Sequence, residues 1–244
     1  GIGLTTAEMM TPEMLSLNGL ANDPNWVAEA HVDYPRLAWE GTGGAVIPSV
    51  AIDWLDGTGT SQDPYKMTTA DQVLMLSKAG ALADAHFILM DDVDLSGRSW
   101  SQAVIPYFNG HFDGNGHVIN HLRIDGDSHL GLFGHLGADA TVRRLVLESV
   151  AVTGSGYYAG GMAGRNDGTI LNASSSGSIT RTDSYVGGLV GHNEGTISES
   201  SSSGEVSGSR YVGGLVGYHR VGSVSNTYST AQASGASYIG GLIG

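Results

Sequence analysis

The sequence has no cysteine, only two lysines (Lys66 and Lys78), six prolines and four phenylalanines among its 244 residues. Each shortage removes a class of chemistry. Without Cys there is no disulfide framework and no thiolate for catalysis or zinc, although the compartment stays open because many secreted proteins also lack Cys. Eleven Lys and Arg against 24 Asp and Glu give a formal charge of −13. That balance opposes binding to nucleic acid or to an anionic membrane surface, both of which need clustered cations. No apolar run approaches the roughly 18 residues of a membrane span, so no membrane insertion is expected within the chain. No charged segment followed by an apolar one opens it. The short catalytic signatures H-E-x-x-H, G-x-S-x-G and G-x-x-x-x-G-K are missing as well.

What the chain does have is glycine, 38 residues of it, and a repeat. The stretch YVGGLVGHNEGTI from Tyr185 returns as YAGGMAGRNDGTI from Tyr158, YVGGLVGYHRVGSV from Tyr211 and YIGGLIG from Tyr238, with leading tyrosines 27, 26 and 27 residues apart. A weaker copy, HLGLFG, starts at His129. Such a period outranks local propensity. A Gly- and Ser-rich unit of this length without helix-period apolar spacing suits one coil of a parallel β-solenoid, an all-β fold in which each coil pairs with the next. Three strands per coil are expected: the Tyr-Val-Gly-Gly-Leu-Val segment, Gly195 to Ser200, and Glu205 to Ser207. Turns are expected at His192 to Glu194, Ser203-Gly204 and Ser209-Arg210. Equivalent side chains should then stack, Leu189 between Met162 and Leu215 and Ile197 between Ile170 and Val224.

GGLVGxNxGTI followed by a Ser-rich tract and G-x-V resembles the GLUG repeat of bacterial surface proteins, over Ser128 to Gly244. GHFDGNGHVINHLRI, from Gly110, resembles the coil that often precedes such repeats. The resemblance implies a right-handed solenoid and an extracellular or cell-surface location. It also brings in immunoglobulin A peptidases, secreted metallopeptidases that carry this repeat.

Taken in order, residues 1–40 read as the tail or cap of a preceding repeat array, with Trp26, Tyr34 and Trp39 in a compact apolar segment. Residues 41–63 read as a Gly-, Thr- and Ser-rich linker, and 64–85 as a cap-helix region. Within that region Thr69 and Gln72 form a capping box ahead of Val73 and Leu76. A helix there would cover the unpaired edge of the first coil. Residues 86–244 form the solenoid, with Asn115-Gly116 as a turn that tolerates positive φ. A chain that begins with Gly1 and stops in mid-motif at Gly244 reads as a fragment.

Candidate chemistry is sparse. His111, His117, His121, His129 and His135 cluster in sequence, and Asp113 could join His117 and His121 at a metal, but the turn pattern accounts for these residues and no metal or other cofactor is expected. Asp91, Asp92 and Asp94 lack the D-x-D-x-D-G loop of a calcium site. Arg181, Arg210 and Arg220 fall at separate turns, so no base is placed beside an acidic cluster. The repeated serines read as packing and turn residues.

The expected function is therefore non-catalytic: an extracellular or cell-envelope segment serving as a rigid stalk or adhesive surface, with an unidentified extracellular protein or glycan as partner. The alternatives are a non-catalytic arm of an immunoglobulin A peptidase-like metallopeptidase and a carbohydrate-binding or carbohydrate-cleaving β-helix. The candidate ligand-facing residues are Tyr158, Tyr185, Tyr211 and Tyr238, which hold one place in four successive coils.

Overall fold

The computed structural model describes residues 26–27, 36–37, 55–78, 84–182 and 184–244. The chain divides into two units, Gly1–Trp54 and Leu55–Gly244. In the first, an antiparallel pair joins Trp26–Val27 to Arg36–Leu37. The rest of the expected tail, and of the linker up to residue 54, lies outside the described residues.

The second unit is a parallel β-solenoid, as the period predicts. Its walls are sheets in which each strand comes from a successive coil. One has seven strands: Tyr65–Met67, His86–Leu89, His111–Asp113, Thr141–Arg143, Thr169–Leu171, Thr196–Ser198 and Ser223–Ser225. A second runs through Ile105–Phe108, Phe133–Leu136, Ala163–Asn166, Val190–Asn193 and Val216–His219. A third is built on Val146–Gly154, Ser174–Thr180 and Ser201–Ser207. A short fourth joins Ser184–Gly187, Arg210–Gly213 and Ser237–Gly240. The seven-stranded sheet thus begins at Tyr65, inside the segment read as the cap.

In-register pairing turns the alternation of each strand into columns of like residues. Phe87, Phe112, Val142, Ile170, Ile197 and Val224 stack inward along one wall. Ile124, Val152, Ile179 and Val206 do so along another. Leu132, Met162, Leu189 and Leu215 line the corner, each fully buried, and backbone hydrogen bonds link Met162 to Leu189 and Leu189 to Leu215. Each such side chain contributes about 1.5–3 kcal/mol of burial.

The expected three strands per coil prove to be four. The Tyr-Val-Gly-Gly-Leu-Val segment splits into Ser184–Gly187 and Val190–Asn193, because the chain turns a corner at Gly188-Leu189. His192 and Asn193, expected in a turn, lie in a strand paired with Arg165 and Asn166 on one side and Tyr218 and His219 on the other. Ser203-Gly204 lies within Ser201–Ser207, where Gly204 bends the strand at φ 103°. The serines have a role beyond turns. Ser175 and Ser202 point inward where earlier coils place Ile119 and Leu147, and Ser202 Oγ donates to the corner carbonyl of Gly214 at 2.6 Å.

The cap helix is short, Ala70–Met75, continued by a 3₁₀ turn at Leu76–Lys78. The capping box forms as read: Gln72 N–H donates to Thr69 Oγ1 at 3.3 Å, and Thr69 N–H donates to Gln72 Oε1 at 3.1 Å. Val73 and Leu76 are buried. The 3₁₀ turn packs against Ile105–Phe108, the edge strand of the five-stranded sheet, where an exposed edge would otherwise invite pairing.

Candidate functional site

The four tyrosines come together. Each sits at a corner with positive φ, 63° at Tyr158, 65° at Tyr185, 52° at Tyr211 and 55° at Tyr238, while the next residue, Ala159, Val186 or Val212, points into the interior. A bulky side chain in this region of φ carries strain of about 1–3 kcal/mol, held only where surrounding contacts demand it. Ring stacking supplies such contacts. Neighbouring centroids are 5.2, 5.0 and 4.7 Å apart, and the rings of Tyr185, Tyr211 and Tyr238 lie within 3° and 8° of parallel. His129 extends the stack at 4.9 Å from Tyr158, and Arg210 lies over Tyr211 and Tyr238 at 5.3 and 5.5 Å.

A second column flanks the first and was not foreseen. Register places Tyr107, His135, Arg165, His192 and Tyr218 in one line on the adjoining wall. Their rings wedge edge-on against the tyrosines: His192 at 5.0 Å from Tyr158, and Tyr218 at 5.4 Å from Tyr185 and 5.2 Å from Tyr211. The glycines of the Val190–Asn193 and Val216–His219 strands permit this approach. A Cβ on Gly217 would lie 2.6 Å from the Tyr185 carbonyl carbon. No single residue type fills this column, which hid it, but its position just after Gly134, Gly164, Gly191 and Gly217 is constant.

Carboxylates complete the face. Arg165 and His135 both bond Asp167, at 2.7 and 2.9 Å, and Glu194 takes His192 at 3.1 Å and Arg220 at 3.0 Å, with Arg165 3.6 Å away. Burial alone would raise the pKa of Asp167, but the hydrogen bonds from Arg165 and His135 hold it below the ordinary value. Glu194 is lowered chiefly by its bond from Arg220. Arg181, by contrast, is buried and donates to the carbonyls of Gly126 and Thr153 at 2.8 Å, clamping adjacent coils.

The histidines read as metal candidates are engaged elsewhere. His117 pairs with Asp92 at 3.1 Å and His121 with Asp94 at 2.8 Å. Among the described residues no three His, Asp or Glu side chains converge as a metal site. Asp113 is bonded by Arg143 and Arg144 instead.

His192 makes this face sensitive to acid. Its ring is buried, Nε2 faces Glu194 and Nδ1 has no partner. Burial lowers its pKa below 6.5 despite the upward pull of Glu194, and His129 is lowered by burial too. A protonated ring would add an N–H at Nδ1 where nothing accepts it. The unfolded chain therefore takes up protons first. The stability that depends on neutral His129 and His192 is whole above pH 6.5 and is lost as pH falls through their lowered values. Asp167 and Glu194 act at lower pH: their contribution is present above their ordinary values of 3.8 and 4.5 and lost as pH falls through the depressed ones. Calorimetry against pH should show two descending steps, and His192→Gln should shrink only the upper. A full upper step in that variant would remove His192 as its source.

Residues 182–207 match the family described as the GLUG motif. Halomucin of Haloquadratum walsbyi is 34% identical over 136 residues, 50% of this chain and 2% of halomucin. A protein of Evansella cellulosilytica provisionally named a Gly-rich membrane protein is 35% identical over 134 residues, 48% of this chain and 15% of that one. The chain thus spans a small part of the length of the curated relatives it matches. A crystal structure from Bacteroides ovatus, provisionally assigned as an immunoglobulin A1 protease, aligns at TM-score 0.38 and 18% identity, over 76% of this chain and 86% of that one. The matched segment holds the four strands from Ser184 to Ser207, so one full coil of the solenoid carries a GLUG motif.

Proposed function

We propose that this chain is a non-catalytic, rigid segment of an extracellular or cell-envelope protein, and that the tyrosine stack is the spine that stiffens it. The observation that carries this reading is the stack itself. Rings within 3° and 8° of parallel cover one another's faces, so they serve cohesion between coils before they serve a ligand. The flanking ion pairs run between coils in the same sense, Asp167 to His135 and Glu194 to Arg220. Likeness to halomucin and to a protein named for a membrane agrees with a surface location.

A contact role is favoured by one further observation. Tyr158, Tyr185 and Tyr211 are only half-buried, leaving ring edges along the strip at centroid spacings of 5.2 and 5.0 Å, on the scale of a sugar ring in an extended glycan. The double variant Tyr185→Ala, Tyr211→Ala separates the two roles. Loss of stacking contacts worth about 0.5–1.5 kcal/mol each should lower the melting temperature by about 3–10 °C. Retention on a glycan array, measured on the same protein, should not change. Unchanged melting with lost glycan retention would make the strip a binding site and overturn the spine.

A further inference from the structure

The strongest feature outside the tyrosine face lies on the outer surface of the first coils. A cavity of about 370 Å³ opens over the strands His86–Leu89, His111–Asp113 and Thr141–Arg143, with Ser61 and Pro64 on one wall. Its floor is cationic in a chain of charge −13. The rings of His86 and His111 stack at 4.2 Å, and the guanidinium of Arg143 stands one strand further along the sheet. Among the described residues neither imidazole has a hydrogen-bond or ion-pair partner. His117, His121, His135 and His192 each have a carboxylate. Arg143 and Arg144 both reach Asp113, at 2.9 and 2.5 Å, so two guanidinium groups share one carboxylate and an excess positive charge remains. The field agrees: burial lowers the pKa of His86, and the charges of His111 and Arg143 lower it further, against Asp84. Apolar surface from Pro64 and Ile88 adjoins these donors.

We infer that this cavity binds an oxyanion, the carboxylate or sulfate of an acidic monosaccharide unit, held by His86, His111 and Arg143. The volume falls in the range of small-molecule pockets, about 300–1,000 Å³, and the mix of apolar wall with a few convergent donors is what such pockets use. Arg143 supplies the charge-assisted bond and the histidines supply N–H donors from one side. This site is separate from the tyrosine face and stands or falls without it.

The test follows the imidazole Cε1–H resonances of the full chain by NMR at constant ionic strength, with glucuronate, inorganic sulfate and neutral glucose as probes. His86→Gln and His111→Asn assign the two signals. The His86 and His111 signals should shift saturably with glucuronate, sulfate or both, and not with glucose; whichever anion succeeds identifies the group recognised. Arg143→Gln should weaken binding about tenfold or more while the His135 and His192 signals stay in place, showing an intact fold. His111→Asn should weaken it as well. Absence of a saturable shift with both anions, equal affinity in Arg143→Gln, or an equal response to glucose would overturn the assignment.

Discussion

Replacing Leu189 by Asp is expected to abolish cooperative folding. Leu189 is fully buried in the corner column between Met162 and Leu215, its N–H bonded to the Leu215 carbonyl at 2.9 Å and its carbonyl accepting the Met162 N–H at 2.9 Å. Loss of the side chain's burial removes about 2–3 kcal/mol. A carboxylate placed there enters a buried column of apolar side chains, and an unpaired buried charge costs several kcal/mol more. Together these approach the whole stability of an ordinary domain, about 5–15 kcal/mol. Coils are stabilised mainly by their neighbours, so a break at Leu189 also unseats the Met162 and Leu215 coils. Leu189→Ala should give a graded version, about 2–5 kcal/mol. Circular dichroism and thermal melting read both variants. An unchanged β spectrum and melting temperature for Leu189→Asp would take this residue out of the interior.

The register of the ladders was legible because it needs only a period. Once coils are 26 or 27 residues long, Leu189 must meet Met162 and Ile197 must meet Ile170, whatever path the chain follows between. The number of walls was not legible. The bend at Gly188-Leu189 carries no Pro or Asn-Gly punctuation, so the segment from Tyr185 to Val190 reads as one strand, although the odd spacing of Val186 and Leu189 would put them on opposite faces of it. The inward serines were hidden for a related reason. Ser202 fills a position that Leu147 fills elsewhere, and its use appears only when the Gly214 carbonyl is seen within hydrogen-bond reach. The tyrosine column was visible as a repeated letter. The column beside it changes identity at every coil, from His135 to Arg165, His192 and Tyr218, and only the strand register aligns it. Grouping histidines by nearness in sequence likewise joined His111 to His117, whereas one turn of the solenoid sets His111 against His86.

The second large effect is expected at Gly188, and it comes with an internal control. Gly188 is the second glycine of its corner pair, and a Cβ there would lie 2.2 Å from the carbonyl oxygen of Gly214 and 2.8 Å from Ser202 Cβ. That oxygen also accepts the Gly188 N–H at 3.1 Å, so the methyl would land on the hydrogen-bond ladder between two coils. Backbone cannot yield as a side chain does, and the coils would have to part locally from a spacing of about 4.8 Å. Gly241 holds the same place in the motif, yet a Cβ there meets nothing within 4 Å. In a polypeptide of residues 1–244 the two positions differ in whether a following coil lies against them. Side-by-side thermal melting of Gly188→Ala and Gly241→Ala tests in-register stacking, on which the ladders, the tyrosine spine and the cavity all depend. Gly188→Ala should cost about 2–4 kcal/mol and lower the melting temperature by about 5–15 °C, while Gly241→Ala should stay within about 2 °C of the parent chain. Equal shifts for the two variants, large or small, would contradict the stacking of these coils.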